Sequence, residues 1–385
     1  MERKIIQGNF LERPALYDVY ENLIAAKEDG KKIVGIIPHT IVPDELIFSA
    51  NAIPLHFCLG GTEDQMNTGH AYVAQTTCPF QRVNLGIFEL RESITFQIYD
   101  LADLIITGTF CNGVQNTGLY LEKYFNKEQY PLIIPHTNKK TAFNYFIKEL
   151  GAFKGFLEKK FQIKITEKKL NDSIKLYNEL RQLYLEIDKF RYVNDPLISL
   201  SEIQNLIYNL YLNGPLTNLK ELKKIRDKLA QNQIEKKNGI RIFLTGGGIL
   251  LEDNFVSILE NCNSIVIGDD LWTGFEFFSS MVDENSTDPL VALSERYINR
   301  NLTGRMIPDS YRIEILLKEY QKRKARGIIN NYLKFCDSYS NSADFFKNKM
   351  HKIGIPVLNL ERDYSQNSVG QLKTRIEAFL EILSS

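Results

Sequence analysis

Five cysteines, Cys58, Cys78, Cys111, Cys262 and Cys336, have the widest chemical reach of any residues in this chain. A thiolate is both a nucleophile and a soft metal ligand. Five in 385 residues are too sparse for a disulfide framework, and no pair has Cys-x-x-Cys spacing. Any metal site must therefore be assembled by the fold from distant positions. Cys78 precedes Pro79 and a helical run through Leu85, Phe88 and Leu90. Proline favours the first helical position, which predicts Cys78 as an N-cap beside amides that stabilise a thiolate. Cys111 follows a strand-like run at 104–107, and Cys336 follows another at 328–332. In open α/β sheets, ligands bind outside the carboxyl ends of strands, so each half of the chain offers one thiol where a site forms. Cys78, Cys111 and Cys336 on one interdomain cleft would hold an iron–sulfur cluster or zinc. As isolated residues they also read as small core side chains, the reading given to Cys58 and Cys262.

Other chemistry is less sharply marked. The five histidines form no His-Glu-x-x-His pair. His39 and His136 each follow a strand end, where they face the same cleft or sit as loop residues. Thr245-Gly246-Gly247-Gly248 lacks both the lysine of a phosphate loop and the Gly-x-Gly-x-x-Gly spacing of a dinucleotide fingerprint. It reads as a tight strand-to-helix turn, so ATP binding by this chain is not expected. Asp269-Asp270 after a strand suits a cation, hydroxyls or a capped turn. No Gly-x-Ser-x-Gly elbow is present.

These residues need elements to position them. Apolar, β-branched runs at 32–37, 103–107 and 132–135 alternate with helical sequence, and a helix start with early carboxylates stands at 43–46. From 151 to about 236 the pattern turns helical. Leu170, Ile174, Tyr177, Leu180, Tyr184 and Ile187 make an amphipathic stripe, Ser199 and Glu202 have capping-box spacing, and Gly214-Pro215 is a break. Strands resume at 241–245, 264–268, 327–332 and 356–360, and a helix over 369–383 closes the chain. The expected organisation is an N-terminal α/β domain (1–150) with Cys78 and Cys111, a helical connector (151–237), and a C-terminal α/β domain (238–385) with Cys336. Parallel βαβ units follow from the alternation.

Lys+Arg and Asp+Glu are both 47, a zero formal balance that argues against duplex DNA or an anionic membrane as partner. No apolar run reaches membrane-helix length, and the polar N-terminus lacks a signal-peptide core, so a cytoplasmic location is expected.

Taken together, the motifs resemble the 2-hydroxyacyl-CoA dehydratase / benzoyl-CoA reductase family. They run in order along nearly the whole chain: Pro43-Asp44-Glu45-Leu46, Cys78-Pro79-Phe80 with Gly86, the Thr109–Cys111 turn, and Leu176-Tyr177-Asn178 with Arg181. Then come Gly268-Asp269-Asp270-Leu271-Trp272-Thr273-Gly274, Asp288-Pro289-Leu290, Glu295-Arg296-Tyr297, Lys334-Phe335-Cys336-Asp337, Gly354-Ile355-Pro356 and Glu361-Arg362-Asp363-Tyr364. The resemblance implies two Rossmann- or flavodoxin-like domains joined by helices, with a [4Fe-4S] cluster between them on Cys78, Cys111 and Cys336. Three thiolates leave one iron open. Glu45, His39 and Thr40 become candidates around the site, against a plainer role in capping and loop packing.

The implied activity is that of a lyase: radical dehydration of a 2-hydroxyacyl-CoA to an enoyl-CoA through a ketyl radical. A separate ATP-hydrolysing iron–sulfur activator supplies the electron. A homologous second subunit is implied, with this chain resembling the shorter, electron-relaying partner. The alternatives are a benzoyl-CoA reductase-type or double-cubane reductase, a non-catalytic relay subunit, and a structural zinc protein. No residue pattern speaks for an additional flavin. The segment 299–305 lacks the cysteine-rich sequence of some relatives, and Asn112 stands where Asp is frequent, so the acyl group is left open.

Overall fold

The computed structural model describes residues 10–37, 41–231, 236–300 and 302–384. Its frame is two four-stranded, all-parallel sheets. The first contains β1 (Lys32–Ile37), β2 (Ala52–His56), β3 (Leu104–Gly108) and β4 (Gln129–Leu132), in the order β2-β1-β3-β4. The second contains β5 (Ile240–Gly246), β6 (Ser264–Asp269), β7 (Gly327–Leu333) and β8 (Val357–Arg362), in the order β6-β5-β7-β8. The two orders are the same, and each reverses direction at its centre. That reversal leaves a crevice at the carboxyl ends of the central strands, β1 with β3 and β5 with β7.

Helices cover both faces of the sheets, so the central strands are continuously apolar rather than alternating: Ile33, Val34, Ile36 and Ile37 of β1 are all buried. Two strands depart from the sequence expectation. β2 is hidden in the sequence by Pro54. It is an edge strand, paired only with β1, and there a missing N–H costs no ladder bond. β4 ends at Leu132, where the expected 132–135 run begins. The amide of Ile134 donates to Thr109 Oγ1 at 3.0 Å instead of continuing the ladder.

The helical middle of the chain consists of Lys140–Phe161, Glu167–Asp188, Leu200–Asn213 and Pro215–Ala230. The Lys140–Phe161 helix is continuous across residue 150, and its Phe146, Leu150, Phe153 and Leu157 join the core under the first sheet. Ser199 and Glu202 form the reciprocal capping box, and Pro215 opens the next helix behind Gly214. The predicted stripe from Leu170 to Ile187 is buried throughout.

The Glu167–Asp188 helix acts as a beam between the halves. Near its middle, Arg181 pairs with Glu45 at 2.6 Å. At its end, Asp188 pairs with Arg191 at 2.9 Å and with Arg323 of the second half, and Arg191 also reaches Asp269 on β6 at 2.7 Å. The glycine run is a close-packing device. A Cβ on Gly248 would fall 1.8 Å from the Trp272 indole, and Gly246 has φ +118 beside the Asn331 carbonyl. The turn it makes leads through 247–254 before the Phe255–Asn261 helix begins, not directly into a helix. No helix among the described residues is long and apolar enough to cross a membrane.

Candidate metal centre

Two of the candidate thiols stand at helix N-termini. Cys78 is the N-cap of the Pro79–Glu89 helix, with Pro79 at the first position. Cys111 is the N-cap of the Asn112–Phe125 helix, immediately after β3. These termini abut: a Cβ built on Gly113 would lie 3.6 Å from Cys111 Sγ and 3.9 Å from Cys78 Cβ. Cys336 comes from the other half, in the turn between β7 and the Tyr339–His351 helix. That turn is tight. Phe335 adopts φ 59, the Cys336 amide donates to the Leu333 carbonyl at 3.2 Å, and the Ser340 amide donates to the Cys336 carbonyl at 3.0 Å. Within their sheets β3 and β7 hold the same place, and Phe110-Cys111-Asn112 after one matches Phe335-Cys336-Asp337 after the other.

The thiols feel one another. Burial pushes Cys78 up to about 12, and the neighbouring Cys336 and Cys111 add to the rise; the amides of Phe80 and Gln81 oppose it. Cys111 is raised by burial, which outweighs the lowering influence of Arg305 and the Val114 amide. Without a cation between them, Cys78 and Cys111 hold their protons. A metal centre would replace those protons, since a coordinating thiol is deprotonated outright. All three keep partial access to solvent, whereas Cys58 and Cys262 are buried in apolar cores as expected. The Cys58 thiol is driven up by burial, which leaves it unreactive.

The surroundings supply positive charge and unused donors. Arg305 donates from Nη1 to Asp337 at 2.9 Å and from Nη2 toward Cys336 Sγ at 3.6 Å. Its guanidinium lies over the Phe110 ring, 6.0 Å from the centroid. Burial would lower its basicity, but Cys111, Cys336 and Asp337 raise it. Among the described residues, Arg305 Nε, Arg82 Nε and the Tyr364 hydroxyl are buried with no hydrogen-bond partner. Tyr364 and Arg82 both lie within the electrostatic reach of Cys78.

Three such thiols suit either zinc, which takes its sulfurs about 2.3 Å from a single point, or a cubane, which offers a separate iron to each thiolate. Among the described residues, no group of three or more His, Cys, Asp or Glu side chains stands as a ready single-ion site. Two helix N-termini and a buried arginine also suit an anionic group. The residues fit a cluster.

The remaining sequence candidates are dispersed. Glu45 is fully buried, accepting from Arg181 Nη2 at 2.6 Å and from the Tyr297 hydroxyl at 2.7 Å. Burial pushes its carboxyl up, yet Arg181, Arg296 and Tyr297 together hold it below the usual value. His39 and Thr40 lie outside the described residues. His136 packs against neighbours of the cysteines, its ring stacked on Phe110 at 5.3 Å and its Nδ1 3.4 Å from the Arg305 carbonyl. Asp269 and Asp270 are saturated internally: Asp269 by Arg191 and the amides of Leu271 and Phe275, Asp270 by Arg312 and Thr245. Arg305 is the residue that sequence reasoning missed. It lies 31 positions before Cys336, inside a segment read only for the cysteines it lacks, and no local spacing marks it.

The chain is similar to known proteins over most of its length. The chain is 24% identical over 364 residues to the (R)-phenyllactyl-CoA dehydratase beta subunit of Clostridium sporogenes, covering 93% of each chain. It is 24% identical over 367 residues to the beta subunit of (R)-2-hydroxyglutaryl-CoA dehydratase from Acidaminococcus fermentans, covering 93% of this chain and 94% of that one. It is 22% identical over 357 residues to one of the subunits of benzoyl-CoA reductase from Thauera aromatica, covering 90% and 88%. The family model for the 2-hydroxyglutaryl-CoA dehydratase D-component matches residues 39–383, a span that takes in all three clustered cysteines and both sheets, and the chain belongs to that family.

Proposed function

We propose that this chain is an iron–sulfur subunit of a 2-hydroxyacyl-CoA dehydratase-type enzyme, with a [4Fe-4S] cluster on Cys78, Cys111 and Cys336. The observation that carries the reading is the meeting of two helix N-caps from one half with the β7 turn from the other. When bound, such a cluster supplies one-electron reduction of an acyl-CoA and, with three cysteines, an open iron. The protein's own part is to hold negative charge. The amides of Phe80, Gln81 and Val114 and the Arg305 guanidinium all favour thiolates. Both Glu45 oxygens are engaged, so any proton it accepts must displace Arg181 or Tyr297.

The activity we infer is dehydration of a 2-hydroxyacyl-CoA to an enoyl-CoA, in a cytoplasmic complex with a homologous second subunit and an ATP-hydrolysing activator. Relatives named as beta subunits of dehydratases support the two-subunit arrangement. The relative from benzoyl-CoA reductase supports a second, reductive reading on the same scaffold. The test is iron and acid-labile sulfide per chain after anaerobic purification, with EPR of the reduced protein. Roughly four irons per chain are expected. An iron-free protein, or a cluster untouched by Cys78→Ala, Cys111→Ala and Cys336→Ala, would overturn the proposal. Net enoyl-CoA formation without consumption of reductant separates the dehydratase from the reductase.

A further inference from the structure

Arg305 is held from several sides. Its Nη1 donates to Asp337, its Nη2 points at Cys336 Sγ, and its guanidinium covers Phe110, the residue before Cys111. Its backbone is tied as well, since the carbonyl lies 3.4 Å from His136 Nδ1 and the nearby Ile307 amide donates to the His136 carbonyl at 2.7 Å. The Arg305 side chain is 7% exposed while its partner Asp337 is 50% exposed. The carboxylate is therefore screened by water and the guanidinium is not, leaving an excess of buried positive charge beside two of the three thiols.

We propose that Arg305 is a positioning residue that sets the reduction potential of the group held by Cys78, Cys111 and Cys336, acting through an N–H···S bond to Cys336 and a buried charge that the half-exposed Asp337 offsets only in part. The inference rests on the iron–sulfur reading. Adding one electron to an anionic cluster is opposed by the charge already there. A buried cation offsets that repulsion, and a donor to a ligating sulfur draws electron density from it. Both effects favour the reduced form, so Arg305 raises the potential. Lysine would keep the charge but lose the planar fork that reaches Asp337 and sulfur together.

The experiment is an anaerobic, EPR-monitored redox titration of wild type, Arg305→Lys and Arg305→Gln in the assembled complex, with iron and sulfide measured on each. The signal belonging to this chain is the one lost in Cys336→Ala. At a fixed poise, Arg305→Gln should lower the reduced-to-oxidised ratio at least tenfold, or ~59 mV for one electron, with Arg305→Lys between it and wild type. A fully loaded Arg305→Gln with the wild-type potential overturns the proposal. If Arg305→Gln loses its iron, Arg305→Lys decides, and an unchanged potential there is equally fatal. A wild type without any cluster overturns the iron–sulfur reading instead, so the two failures are distinguishable.

Discussion

At the scale of single residues, surroundings divide the five cysteines more sharply than chemistry does. Cys58 and Cys262 fill apolar cores, while the other three meet beside an arginine and two helix N-termini. Alanine at Cys58 should leave the iron content intact and cost about 1 kcal/mol through a small cavity, read by urea unfolding. Alanine at Cys78, Cys111 or Cys336 should remove iron with little change in the apoprotein's stability. Glu45 gives the opposite kind of prediction. Its side chain and that of Arg181 are both 0% exposed, so Glu45→Gln strands a buried guanidinium and should destabilise by about 3–5 kcal/mol, measured by the same unfolding. The sequence marks Glu45 through its helix start and Cys78 through its proline. It does not mark Arg305, because a side chain that reaches across the fold leaves no periodic trace.

At the scale of elements, glycines decide where the cysteine-bearing helices can sit. The Pro79–Glu89 helix crosses Glu63–Thr68 so closely that a Cβ on Gly86 would fall 1.8 Å from the Gln65 carbonyl oxygen. Gly86→Ala should therefore cost about 1–3 kcal/mol and push Cys78 out of place, lowering iron occupancy at unchanged Cys111 and Cys336. Gly155, on the exposed face of the Lys140–Phe161 helix, has nothing within 4 Å of its missing Cβ. There alanine should stabilise by about 0.5–1 kcal/mol with no effect on iron. The opposite signs, read by thermal unfolding and iron analysis, test whether helix contact or helix propensity governs the site. Six of the eight strands are legible in the sequence because buried parallel strands are dense apolar runs. The two that are hidden or displaced, β2 and β4, are edge strands carrying Pro54 and Pro131, where weak pairing tolerates residues that disguise the pattern.

At the scale of the whole molecule, the cysteines can meet only while both halves hold their places, and the Glu167–Asp188 beam does this through buried charge. Glu45 with Arg181 fastens it toward the first sheet, and Asp188 with Arg191 and Arg323 fastens it to the second. Burial pushes the Asp188 carboxyl up, but Arg323 and Arg191 prevail and hold it below its usual value, as happens at Glu45. A depressed folded-state value means that both groups contribute stability above their unfolded values, near 3.9 for Asp and 4.3 for Glu. That contribution is lost as the pH falls through the lower folded values. Asp253 and Asp270 act in the other direction, since burial raises them despite Arg362 and Arg312, and they soften the acid loss. Urea midpoints measured from pH 7 to pH 3 should therefore fall steeply below about pH 4 in wild type. Asp188→Asn should be weaker by about 3–5 kcal/mol at pH 7, because two buried arginines lose their partner, and its acid limb should be visibly shallower. An acid limb in Asp188→Asn as steep as that of wild type would place the acid-sensitive joint elsewhere, and with it the contact that keeps Cys336 opposite Cys78 and Cys111.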